Sequence, residues 1–103
     1  MFLKATPCGY TQIGSGALVS AQNVTVLSAG TGVALRNANF AVITAESQSL
    51  RWRDDGTAPT ASVGNLIVTG TAPFEYFGNL SGLQLIGAAG GAIANISQYY
   101  VPM

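Results

Sequence analysis

A chain of 103 residues has the length of one domain and can bury one core. Its four Lys and Arg balance four Asp and Glu, and charged residues make up 8% of the chain against about 25% in an average soluble domain. With zero net charge, no His and a single Cys, the composition excludes a phosphate-tracking nucleic-acid binder, an intrachain disulfide and a Cys/His zinc centre. So few charges also leave long neutral stretches facing water, which favours a homo-oligomer or a subunit seated on a larger assembly.

In chain order, the first segment is the least regular. Pro7, Gly9, Gly14 and Gly16 interrupt any ladder between Phe2 and Gly16, while Phe2, Leu3, Tyr10 and Ile13 are apolar. Residues 1–16 therefore read as an N-terminal arm that packs on a neighbouring subunit, the alternative being a first strand folded back on its own sheet. "MFLKATPCGY" lacks the apolar core of a signal peptide.

From residue 17 to 103 the chain reads as one domain. Short runs of Val, Ile, Leu, Thr and aromatics alternate with Gly, Asn and Ser clusters, and no helical periodicity survives without an intervening Gly or Pro. Early strands are expected at Ala17–Ser20, Asn23–Leu27 and Gly32–Leu35, then a clear one at Phe40–Glu46. "SLRWRD" places Leu50 and Trp52 on one face and Arg51 and Arg53 on the other. Leu66–Thr69 follows, and "PFEYFG" sets Phe74 and Tyr76 against Glu75 and Phe77. "GLQLIG" and "AIANISQYY" close the chain. Leu83–Ile96 is the most apolar stretch, but it is too short to span a membrane, and its glycines mark a turn between two strands. Seven to nine short strands with a turn about every ten residues give an all-β chain, a compact antiparallel β-sandwich, jelly-roll-like or Ig-like, with an N-terminal arm.

"RWRDDGTAPTASVG", Arg51 to Gly64, concentrates four of the eight charged residues and the only Trp. Adjacent Asp54 and Asp55 diverge in an extended segment and make a poor glycosidase pair. No His is present to activate Cys8 or a serine. "DDG" resembles the start of a calcium loop but lacks the later ligands, so no metal and no cofactor is expected. The turn reading explains more: Asp54 and Asp55 bond backbone downstream, Gly56 supplies a positive φ, and Pro59 bars a central strand. Arg51 and Arg53 then tie down the aspartates, while Trp52 faces the core or a partner. A sugar-binding platform of Trp52, Tyr76, Phe77, Tyr99 and Tyr100 is the other functional alternative, weighed against aromatics that simply fill a core.

The run "LRWRDDGTAPTASVGNLI", followed by the aromatic stretch Phe74–Phe77, the turn Asn79–Ser81 and the ending Ala89–Tyr99, resembles a family of small phage virion-associated structural proteins. The likeness spans about Phe40 to Tyr100 and is specific over Arg51–Gly64. At Asn79-Leu80-Ser81 this chain has lost the acid of the family's turn. The resemblance implies a short β-sandwich on the capsid surface of a virion. The expectation is a non-enzymatic decoration (cement) protein, a homo-oligomer with a trimer favoured, whose partner is the major capsid protein, with no nucleic acid and no membrane. Phe2, Leu3, Tyr10, Ile13, Tyr99 and Tyr100 are the interface candidates. A receptor- or glycan-binding module of a head fibre or tail is the alternative.

Overall fold

The computed structural model describes residues 5–14 and 19–102. Ten strands follow in order: β1 (Thr6–Ile13), β2 (Gln22–Asn23), β3 (Ser28–Ala29), β4 (Arg36–Asn37), β5 (Phe40–Glu46), β6 (Leu50–Arg53), β7 (Asn65–Ile67), β8 (Phe74–Phe77), β9 (Gln84–Gly87) and β10 (Ile93–Tyr100). Eight of them form two four-stranded sheets, β1-β10-β5-β8 (sheet A) and β2-β9-β6-β7 (sheet B), while β3 and β4 make a separate ribbon. Every pairing is antiparallel. This order, with the chain passing back and forth between two sheets of four, is that of a jelly roll; an Ig-like domain would divide its strands differently.

Alternation along the central strands builds the core. Ala41 and Ile43 of β5 and Ala94, Ile96 and Gln98 of β10 point inward, meeting Leu50, Ile67 and Leu85 from sheet B. Val24, Leu80 and Leu83 complete the same cluster. Alanines at four of the positions, 38, 41, 92 and 94, keep this interior thin, and among the described residues no aromatic ring is fully buried. The aromatic side chains are left to the margins and outer faces.

Gln98 is the exception in this apolar interior, 1% exposed. Its side-chain carbonyl accepts from the Leu27 amide at 3.0 Å, and its amide donates to the Thr25 carbonyl at 2.8 Å. Residues 24–27 carry no strand pairing of their own, so one glutamine satisfies two backbone groups that a ladder would otherwise serve.

Several boundaries differ from the sequence reading. Thr6–Ile13, read as part of an arm for a neighbouring subunit, is instead the edge strand β1, paired with β10 of its own sheet. A register shift between Pro7 and Gly9 absorbs the two residues expected to break the ladder. Of Ala17–Ser20, Val19 and Ser20 are not in a strand, and the other two lie outside the described residues. Asn23–Leu27 is mostly connection, and Gly32–Leu35 is a 3-10 turn (Gly32–Ala34) at the tip of the β3–β4 ribbon. Strand Leu66–Thr69 ends early, at Ile67, because Val68–Thr71 turns. By contrast Phe40–Glu46 and Phe74–Phe77 have the read limits. No helix among the described residues is long and apolar enough to cross a membrane.

Replacing Gln98 by Leu strands the Leu27 amide and Thr25 carbonyl in an apolar interior. The expected loss is about 1–3 kcal/mol of unfolding free energy, measured by denaturant titration.

Candidate functional site

Strand β6 leads into the loop that concentrates the charges. Arg53 grips Asp55 with two parallel bonds: Nε donates to Oδ1 at 3.0 Å and Nη2 pairs with Oδ2. That forked contact holds the Asp55 carboxyl below its ordinary range, with the Thr57 amide adding a weaker bond. Gly56 follows at φ 86°. Arg51 reaches neither aspartate. Its Nε and Nη1 donate to the carbonyls of Ala61 and Gly64, at 3.0 and 2.9 Å, and pin the far end of the loop to the outer face of sheet B.

Between these anchors Thr60 and Val63 exchange backbone hydrogen bonds, and the Thr60 hydroxyl accepts from the amides of Ser62 and Val63. Gly64 closes the loop at φ 140°, where a Cβ would press at 3.2 Å on Arg51, on the buried Pro59 and on the Trp52 carbonyl. Arg51, Arg53, Asp55 and Thr60 all find their partners inside the run.

Trp52 points the other way, between the sheets. Its ring lies 5.1 Å from Phe74 and 5.7 Å, edge-on, from Tyr76, both on β8 of the opposite sheet. The Tyr76 hydroxyl donates to Asp54 at 2.8 Å. Burial and then the Asp54 carboxylate push the Tyr76 phenol up to about 12. Asp54 thus anchors an aromatic plug at the margin of the core.

The outer face of sheet A is built differently. Cross-strand register sets Pro7 opposite Tyr99, Tyr99 opposite Phe40, and Phe40 opposite Phe77, one residue from each of the four strands. Neighbouring ring centres are 6.1 and 6.0 Å apart. Phe77, on the edge strand, is 48% exposed. Behind this row, Asn95 accepts from Tyr10 and Gln12 and donates to Glu46 at 2.8 Å, lacing β1, β10 and β5 together. Glu75 stands beside Phe77 on the same face of β8 and is exposed.

The interface candidates therefore separate. Tyr10 and Tyr99 lie on this outer face, Ile13 packs half-buried against the chain's own core, and Tyr100 lines a cleft of about 210 Å³ beside the ribbon. Phe2 and Leu3 lie outside the described residues. The five aromatics weighed as one sugar platform belong to different places: Trp52 and Tyr76 in the plug, Phe77 and Tyr99 in the outer row, Tyr100 in the cleft. Phe40 and Pro7 are not among the interface candidates read from the sequence, because only the register across four strands brings them to the row. Among the described residues no three His, Cys, Asp or Glu side chains come together as a metal cage would require. Comparison with protein-family models, with characterised proteins and with solved structures finds no match to this chain.

Two outcomes follow from this geometry. Arg51→Ala frees the Ala61–Gly64 end of the loop and lowers stability by about 1–3 kcal/mol, read as a lower denaturant midpoint. Tyr76 governs the alkaline limb. An unfolded tyrosine loses its proton near pH 10, so from about pH 10 to 12 the unfolded chain holds fewer protons and stability falls as pH rises. Tyr76→Phe removes the tyrosine's share of that fall, leaving the share of the Cys8 thiol, which burial also pushes up, as paired unfolding curves at neutral and alkaline pH will display.

Proposed function

We propose that this chain is a phage virion structural protein of the capsid-decoration type, a homo-oligomer, with a trimer favoured, that binds the outside of a head through protein–protein contacts with the major capsid protein. The observation that carries this reading is the outer face of sheet A, where four strands contribute Pro7, Tyr99, Phe40 and Phe77 to one apolar row on a chain with almost no charge. A row of that kind, rimmed by polar groups, is a surface suited to being covered by protein. Jelly rolls are also a common solution for viral shell proteins, a likeness of fold alone.

The carboxylates support a non-enzymatic role. Asp55 is held by Arg53, Asp54 by Tyr76 and Glu46 by Asn95, so three of the four acids are engaged in holding the fold. The rings of the outer row are tilted 57° and 50° to one another. They pack against each other rather than lying flat, which favours a protein partner over a stacked sugar. Many modest contacts of this sort gain strength when an oligomer presents several copies at once.

Co-sedimentation of the purified protein with heads lacking it tests the proposal. Binding that saturates, and that Phe77→Asp abolishes while leaving the melting temperature unchanged, is the expected result. Failure of the folded wild-type protein to bind any head form would refute it.

A further inference from the structure

The β3–β4 ribbon has no role in the core, yet its tip is well built. Val33 is 100% exposed and Leu35 47%, so two large apolar side chains are presented to water at the end of a projection. Arg36 Nη1 donates to the carbonyls of Val33 and Leu35, at 3.0 and 2.9 Å, and braces the tip from within. Gly30, at φ 84°, admits the close turn, since a Cβ there would sit 2.5 Å from the Ala34 carbonyl oxygen. Among the described residues the single ion pair is Arg53–Asp55, so the Arg36 guanidinium meets only carbonyls.

The opposite set of groups lies on the edge of sheet A. Phe77 and Glu75 share one face of β8, both exposed. Among the described residues no hydrogen bond or ion pair engages the Glu75 carboxylate, and no cation sits on that face. One patch thus offers two aliphatic groups with a cation, and the other an aromatic ring with an anion.

We infer that the ribbon tip Val33–Arg36 of one copy docks on the Phe77/Glu75 edge of sheet A of a second copy. Arg36 stacks on the Phe77 ring and pairs with Glu75, while Val33 and Leu35 pack along the β8 edge beside it, which leaves Phe40, Tyr99 and Pro7 of the row for the head. A tip braced in advance loses little freedom on docking. Because the two patches are different, the contact can repeat around a closed ring. The identity of the partner follows from charge: among the described residues, a cation that meets only carbonyls in one copy complements an anion without a partner in the next.

This interface rests on the oligomeric half of the proposed function, and its experiment is run without heads so that self-association and head binding fail separately. Sedimentation velocity over a concentration series compares wild type, R36E, E75R and the R36E/E75R double reversal. Wild type associates, each single reversal weakens association by about tenfold or more through like-charge contact, and the double reversal recovers the ion-pair part of that loss, since a glutamate at position 36 neither braces the tip nor stacks on Phe77. Val33→Asp, at a fully exposed position, gives the same loss with an unchanged melting temperature. A wild type that stays monomeric, an R36E protein that associates like wild type, or a double reversal without recovery would each overturn the inference.

Discussion

The antiparallel pairing of β5 with β10, seven residue pairs from Phe40–Tyr99 to Glu46–Ile93, decides which side chains are core and which are surface. In that register Ala41, Ile43, Ala94, Ile96 and Gln98 fall on one side, Phe40, Tyr99 and Asn95 on the other. A slip of one residue would exchange the two sets, burying Asn95 and exposing Ile96. The same pairing therefore builds the hydrophobic interior and lays out the aromatic row on the outer face. β1 and β8 extend it on either side, and Gln98 links it to the connection that reaches sheet B.

The interior is thin, and that limit shapes the rest. Small residues at 38, 41, 92 and 94 leave no space for a ring at the centre. Trp52, Phe74 and Tyr76 plug the margin between the sheets, while Phe40, Phe77 and Tyr99 go outside. The few ions are placed with similar economy. Arg51 and Arg53 close a loop, Asp54 steadies the plug, and Glu46 joins the polar lacing of sheet A. Arg36 and Glu75 are left facing water.

Much of the fold was legible because alternation is a local property. Phe40–Glu46, Leu50–Arg53 and Phe74–Phe77 could be read residue by residue, faces included. Val33 and Leu35 misled, since a strand-like pair of aliphatics follows directly on Gly30 and Gly32, whose positive φ makes a turn instead. The arm misled for the opposite reason. Pro7 and Gly9 look like breakers, but a bulge on an edge strand accommodates both. Of the charged loop, the Arg53–Asp55 pair lay within sequence reach, two residues apart. The partners of Arg51 are backbone carbonyls ten and thirteen residues on, which no side-chain pattern announces. The outer row was illegible because its members become neighbours only through three separate strand registers.

On this account the signature-like run Arg51–Gly64 holds the fold, and the outer face of sheet A meets the partner. A density map of the intact virion tests that division most directly. The account predicts a jelly roll on the exterior of the head with Phe40, Phe77 and Tyr99 covered by protein and the Arg51–Gly64 loop free of capsid contacts. A virion in which this chain is absent from the head, or in which it contacts the capsid through the loop with the aromatic row facing solvent, would contradict it.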